Sequence, residues 1–194
     1  VKPYVVVDIL TEHKTEKPIV SIAAGITLAD LSAMTTDTQP IVRIMPNINA
    51  TIQKSTTGIV RNAYVSDDVF NTVKAIFESV GSVHKQTKKD FGTFTALAGS
   101  SPAYIYMFID AMSRAGVLHG MPKDVSTKIV AETVLASAEM ILKSDENPWT
   151  LVDNVSSPGG TTVAGVVSLE KNNFVATVID AITATIEKNN TMNK

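Results

Sequence analysis

Two patterns of apolar residues alternate over residues 1–90 of the chain. Short runs of mostly β-branched residues, each closed by glycine, proline or a polar cluster, are typical of buried strands. Between them lie segments that begin with a serine or threonine cap and an acidic first turn, as helices do. The predicted elements are strands over residues 19–22, 41–45 and 82–86 and helices over residues 27–34 and 66–80. This alternation predicts a parallel sheet that is covered by helices.

From Thr93 onward the pattern is helical, and no strand pattern competes with it. Pro102 follows Ser100 and Ser101, which predicts a helix with the serines as its cap and Pro102 as its first residue. Further helices are predicted over residues 121–142, 148–154, 161–169 and 174–187. We therefore predict an α/β fold followed by an all-α part, with domains over residues 1–90 and 91–194.

Several of these helices are apolar nearly all round. In the helix predicted from Pro122, side chains such as Val125, Ile129, Val134 and Leu135 cover more than one face. A helix without a wide polar face is buried on several sides, and about a hundred helical residues enclose too small an interior for all of them. The sequence therefore predicts an intertwined homodimer.

Composition narrows the class of protein. Hydrophobic residues make up 44% and charged residues 19% of the 194 residues, which indicates a globular protein. The net charge of −2 with scattered basic residues argues against nucleic-acid binding, and no apolar run reaches the roughly 20 residues that span a membrane. The chain has no cysteine, and its three histidines share no metal-ligand spacing. A cytoplasmic protein without a metal site is expected.

Five short motifs, taken in their order, resemble those of the pyrroline-5-carboxylate reductase family. They are Val1–Pro3, the Ala-Ala-Gly of residues 23–25, the Met-Pro-Asn of residues 45–47, TALAGSSPAY at residues 95–104 and VSSPGGTT at residues 155–162. The resemblance covers essentially the whole chain. The family begins with a strand and a Gly-x-Gly-x-x-Gly turn, which the 194 residues do not contain, and it usually has Ser-Gly-Pro where this chain has Ser-Ser-Pro.

The resemblance implies an oxidoreductase of proline biosynthesis, which transfers a hydride from NADPH or NADH to 1-pyrroline-5-carboxylate and yields L-proline. It also implies part of a Rossmann-like domain, a helical domain for dimerisation and substrate binding, and a homodimer or a larger ring of dimers. Thr162 is the implied catalytic residue, because its hydroxyl matches the one that bonds the imine nitrogen. The implied substrate residues are Ser157, Gly159, Gly160, Thr161 and Thr162, and the implied cofactor residues are Val1, Lys2, Ile22, Ala24 and Asn154.

The residues alone leave alternatives open. The loop at residues 157–162 suits an anion beside a helix N-terminus, but it is also an ordinary helix start with proline and threonine as cap chemistry. Lys2 is either a cofactor ligand or a solvated lysine, and Lys85, Lys88 and Lys89 either attract a cofactor phosphate or are simply exposed. The alternative functions are an inactive truncated fragment that serves as a helical assembly module and a reductase of a different imine or β-hydroxyacid.

Overall fold

The computed structural model describes residues 1–191, which divide into two compact units. The first unit comprises residues 1–102 and the end of the chain from Ile182, and the second is Ala103–Ala181. The elements up to β4 are α1 (Pro3–Glu12), β1 (Ile19–Ser21), α2 (Leu28–Ala33), β2 (Ile41–Met45), a 3₁₀ turn (Ile48–Ile52), β3 (Ser55–Arg61), α3 (Asp67–Glu78) and β4 (Gly81–Lys85). The helices that follow are α4 (Phe91–Phe94), a π-helical segment (Thr95–Ser100), α5 (Ser101–Leu118), α6 (Lys123–Lys143), α7 (Pro148–Asn154), α8 (Thr161–Lys171) and α9 (Phe174–Thr191).

Local capping signals place α2 and α3 where the sequence predicts them, whereas α1 was not predicted. The Thr27 hydroxyl accepts a hydrogen bond from the Asp30 N–H, and the Asp30 carboxylate accepts one from the Thr27 N–H, which completes a capping box. Ser66 accepts from the Val69 N–H at the start of α3, whose first turn is acidic. The predicted strand over residues 41–45 is confirmed at both ends.

The four strands form one sheet in the order β1-β2-β3-β4. The pairs β1–β2 and β3–β4 are parallel, as predicted, but β2 and β3 are antiparallel, with Arg43 opposite Val60. β3 was not predicted, because its first half is Ser-Thr-Thr-Gly and lacks the apolar alternation of a strand. In the sheet these hydroxyls pair with one another, since the Oγ atoms of Ser55 and Thr57 lie 2.9 Å apart and are buried.

Apolar clusters cover both faces of this sheet. Ile41 and Val60 belong to a cluster with α1, α2 and Phe91, while Val42, Ile44 and Ile59 form a second cluster with α3. The predicted burial of residues 19–22 is wrong, because Val20 and Ile22 are 43% and 51% exposed. The cause is position: within residues 1–191, β1 is an edge strand that pairs with β2 alone.

α5 begins at Ser101, within one residue of its predicted start at Pro102, but it is not a new helix, because helical structure runs from Phe91 through Pro102 into α5. A proline inside a helix has no N–H for the carbonyl four residues before it, which here belongs to Ala98. The side chain of Asn47 donates to that carbonyl at 3.0 Å, and the Ser101 hydroxyl donates to the Ala96 carbonyl at 2.8 Å. Two side chains thus supply donors within the π-helical segment that precedes the proline.

The helical unit Ala103–Ala181 buries little apolar surface by itself. Within its described residues Val130 is the only apolar side chain with less than a tenth of its surface exposed. Many large apolar side chains remain open to solvent, for example Leu118, Leu135 and Leu142, which are 81%, 70% and 86% exposed. A single chain therefore leaves the predicted apolar faces of α5, α6, α8 and α9 uncovered.

Candidate active site

A tight loop connects α7 to α8 and carries the predicted substrate residues. The Gly160 N–H donates to the Ser157 carbonyl at 3.0 Å, which closes the turn. Gly159 has a φ of 69°, in the left-handed region that favours glycine. A Cβ on Gly160 would lie 2.6 Å from the Ser157 Oγ, so the turn also needs a residue without a side chain at that position.

The loop delivers the chain into the N-terminus of α8. Gly160 is the N-cap and provides no side-chain hydrogen bond, so the alternative of threonine cap chemistry is not what begins this helix. Thr161 and Thr162 are instead its first two helical residues, and both are exposed. The first N–H groups of a helix have no acceptor within the helix, and its dipole favours negative charge there. The arrangement suits a carboxylate, with two hydroxyls beside it.

Ser156 is a residue of this loop that the sequence analysis did not select. Its Oγ is buried and has no hydrogen-bond partner in the structure. A buried polar atom without a partner costs stability, and native proteins keep few of them. Ser156 lies inside the VSSPGGTT motif, but nothing in the sequence distinguishes its hydroxyl from that of Ser157, which is exposed.

The predicted cofactor residues lie in two places. Val1 and Ile22 line one cavity of about 160 Å³ beside the carboxyl end of β1. Lys2 is the exposed N-cap residue of α1, and Ala24 is half-buried in the turn after β1. Asn154 belongs to the helical unit, where it ends α7 and is exposed.

Comparison with known proteins gives the family. Residues 88–192 match the family model for pyrroline-5-carboxylate reductase dimerisation. The pyrroline-5-carboxylate reductase of Escherichia coli K12 is 38% identical over 198 aligned positions, which cover 100% of this chain and 74% of that protein. The chain belongs to the pyrroline-5-carboxylate reductase family. The pea (Pisum sativum) relative is 36% identical over 97% of the chain and 70% of its own length.

Solved structures of the family share this fold. The 1-pyrroline-5-carboxylate reductase of Streptococcus pyogenes is 45% identical and superposes with a TM-score of 0.94, covering 99% of this chain and 74% of that one. The Plasmodium falciparum pyrroline carboxylate reductase, solved with NADP bound, is 36% identical with a TM-score of 0.95 over 100% and 79% of the two chains. The predicted family and the predicted fold class, α/β followed by all-α, are therefore confirmed. None of the helices in residues 1–191 combines the length and apolarity needed to cross a membrane.

The geometry of the loop predicts opposite effects for two glycines of this family member. Gly160→Ala is expected to lower the free energy of unfolding by about 1–3 kcal/mol, because its Cβ would overlap Ser157. Gly165→Ala is the matched control: this residue lies inside α8 with no atom within 4 Å of an added Cβ, and alanine favours the helix by up to about 1 kcal/mol. Thermal unfolding measures both. Equal melting temperatures for the two variants would show that the loop adapts to a side chain.

Proposed function

We propose that this protein reduces 1-pyrroline-5-carboxylate to L-proline by hydride transfer from NADPH or NADH. The observation that carries the proposal is the family's Ser-Pro-Gly-Gly-Thr-Thr loop, closed by the bond from Gly160 to Ser157 and followed directly by the exposed N-terminus of α8. This geometry offers backbone donors and hydroxyls to one small anion at the same time.

The substrate carboxylate is bound by the first turn of α8. Gly159, Gly160 and Thr161 let the backbone approach closely, because the glycines carry no side chain and Thr161 is exposed. Since the unpaired N–H groups and the helix dipole both favour a negative group, the carboxylate needs no lysine or arginine in this loop. Ser157 fixes the loop through its carbonyl.

Thr162 acts on the imine nitrogen. Its exposed hydroxyl follows the anion-binding residues directly, so a ring held by its carboxylate reaches the hydroxyl with its nitrogen. The nitrogen gains electron density when the neighbouring carbon accepts hydride, and a hydrogen bond to the hydroxyl orients and polarises it. Thr162 is the residue to which we assign this catalytic role.

We assign the cofactor side of the first unit to Val1, Lys2, Ile22 and Ala24. Asn154 of the helical unit is assigned to cofactor binding from the resemblance alone. Support comes from the cavity that Val1 and Ile22 line at the carboxyl end of β1, because open α/β sheets bind nucleotides at this end of their strands. The nicotinamide supplies the hydride. Ala24, with its small side chain, leaves room for the ribose beside the strand.

We assign residues 1–90 to the dinucleotide-binding domain and residues 91–194 to dimerisation and substrate binding. The match of residues 88–192 to the family's dimerisation domain and the exposed apolar side chains of α5 and α6 support a homodimer, of which a ring of dimers is a further form. A cytoplasmic location is part of the same proposal, and fractionation of the producing cells tests it.

Residues 1–194 alone are expected to bind NADPH no tighter than millimolar, because they contain no Gly-x-Gly-x-x-Gly turn for the pyrophosphate. Calorimetric titration of the chain measures this. Adding before Val1 the N-terminal portion of the Escherichia coli relative that has no counterpart here is expected to produce micromolar binding. It should also produce NADPH oxidation that depends on 1-pyrroline-5-carboxylate.

Residues 1–194 alone and the fused chain together distinguish the proposed reductase from its alternatives. Micromolar binding by residues 1–194 alone would show that the cofactor site is misplaced. A fused chain that binds NADPH but leaves 1-pyrroline-5-carboxylate unreduced would favour the inactive assembly module, or a reductase of another substrate.

A further inference from the structure

An arginine lies buried in the middle of the sheet. Arg43 of β2 is only 5% exposed, and its guanidinium stacks 4.3 Å above the centre of the Phe91 ring. Its Nε has no hydrogen-bond partner. A buried cation is expensive unless it is paired and hydrogen-bonded, so this side chain needs an explanation.

The charge of Asp30 compensates Arg43 only in part. Burial lowers the pKa of Arg43, and the charge of Asp30 raises it by less. The Oδ2 of Asp30 is already committed to the cap of α2, where it accepts from the N–H and the hydroxyl of Thr27. The positive charge of Arg43 is therefore only partly compensated within the first unit.

Arg43 lines a cavity of about 260 Å³ within the first unit. Lys88 and Lys89 line it as well, and the side chains of Asn189 and Asn190 at the end of α9 add polar groups. None of the described residues that line the cavity is acidic. Three cationic residues, one buried and two exposed, thus line one cavity.

The structure separates the three lysines that the sequence groups together. The Nζ of Lys85 lies 5.8 Å from the centre of the Phe70 ring, and Phe70 belongs to the apolar cluster on the α3 side of the sheet. Lys88 and Lys89 instead share the cavity of Arg43, beside Phe91 of the opposite cluster. Only two of the lysines therefore contribute to this site.

We propose that this cavity binds a small phosphate-bearing anion. An arginine, two lysines and two asparagines that line one cavity are a donor set that suits phosphate oxygens. The volume lies below the roughly 300 Å³ at which pockets for larger ligands begin, so it admits a phosphate group with a small substituent but not a whole dinucleotide. The cavity shares no residue with the substrate loop or with the proposed cofactor residues.

Phosphate titration with detection by amide NMR tests the site in residues 1–194. Inorganic phosphate, added at constant ionic strength against chloride, is expected to bind saturably and to shift the amide signals of Phe91 and Gly92. Glycerol 3-phosphate and adenosine 2′,5′-bisphosphate are the second and third probes. Equal affinities for inorganic phosphate and glycerol 3-phosphate would identify the ligand as phosphate or a small phosphate ester. A higher affinity for adenosine 2′,5′-bisphosphate would identify it as the phosphate group of a nucleotide.

Two variants and a control complete the experiment. Lys88→Gln with Lys89→Gln removes two exposed charges and is expected to raise the Kd for phosphate at least tenfold, while Lys54→Gln with Lys128→Gln, at exposed positions outside the cavity, leaves the Kd unchanged. Arg43→Lys keeps the charge but loses the planar donors and is expected to weaken binding as well. Equal losses in the two double variants, shifts confined to residues 159–162, or no saturable binding would each overturn the proposal.

Discussion

Leu135→Asp is expected to abolish the folded dimer and to leave aggregated or unfolded protein. Leu135 is 70% exposed in one chain. It lies on α6, which carries apolar side chains on more than one face. If a second copy covers this face, the variant loses a buried leucine, which costs about 2–5 kcal/mol. An unpaired carboxylate in the interface adds to that cost. Analytical ultracentrifugation and thermal unfolding of the variant measure the loss.

The size of the stability change distinguishes a dimer from a monomer. In a monomer Leu135→Asp would replace an exposed leucine with a polar residue, and the stability would change by only about 0.5 kcal/mol. Glu132→Gln, at an exposed position of the same helix, is the matched control and should sediment as the unmutated dimer does. An interface of the obligate class, above about 2,000 Å², is expected in the unmutated protein. A monomeric unmutated chain, or a variant that keeps its dimer and its melting temperature, would contradict the hypothesis.

The elements that the sequence predicted correctly carry their own signals. The capping box of Thr27 and Asp30, and Ser66 before two aspartates, determine where α2 and α3 begin through bonds between neighbours in the chain. The apolar run of residues 41–45 is buried on both faces and so reads as a strand without any partner. Local chemistry is sufficient in these cases.

The errors occur where distant residues decide the structure. β3 begins with hydroxyl residues, and its strand conformation depends on its pairing with β2 on one side and β4 on the other. The helix continues through Pro102 because Asn47, far away in the sequence, donates to the carbonyl of Ala98. Proline after a serine pair is a signal for a helix start, and it does not show that α5 continues directly from the helical segment before it.

The substrate loop could be predicted from the sequence, whereas the cavity of Arg43 could not. The loop at residues 157–162 is contiguous, so the sequence could predict both its turn and the helix that follows. The cavity of Arg43 combines β2, the lysines before α4 and the end of α9, and no spacing in the sequence connects these segments. The sequence shows that Arg43 lies within an apolar strand, but it does not show whether the guanidinium has an ion-pair or hydrogen-bond partner.

Thr162→Ala is expected to lower catalytic efficiency by about ten- to a hundredfold with little change in stability. The experiment belongs in an active enzyme that carries this sequence. A hydrogen bond to a group that carries or gains charge contributes about 1.5–3 kcal/mol, and about 1.4 kcal/mol corresponds to one decade in rate. Gly160 caps α8 without a side chain, so the Thr162 hydroxyl is not the N-cap and its removal should cost the fold no more than about 0.5 kcal/mol. Steady-state kinetics and thermal unfolding, measured together, separate the two contributions.

Thr162→Ser and Thr161→Ala test which of the two hydroxyls bonds the imine nitrogen and which lies beside the carboxylate. Thr162→Ser keeps the hydroxyl and should retain most of the efficiency, because the proposed role needs the O–H and not the methyl group. Thr161→Ala should have only a small effect, confined to KM, since alanine provides the same backbone N–H for the carboxylate and only the neighbouring hydroxyl is lost. Near-normal efficiency in Thr162→Ala together with a large loss in Thr161→Ala would mean that the two roles are exchanged. If neither substitution changes the kinetics, the loop only begins a helix, and the hydrogen bond to the imine must come from a residue outside it.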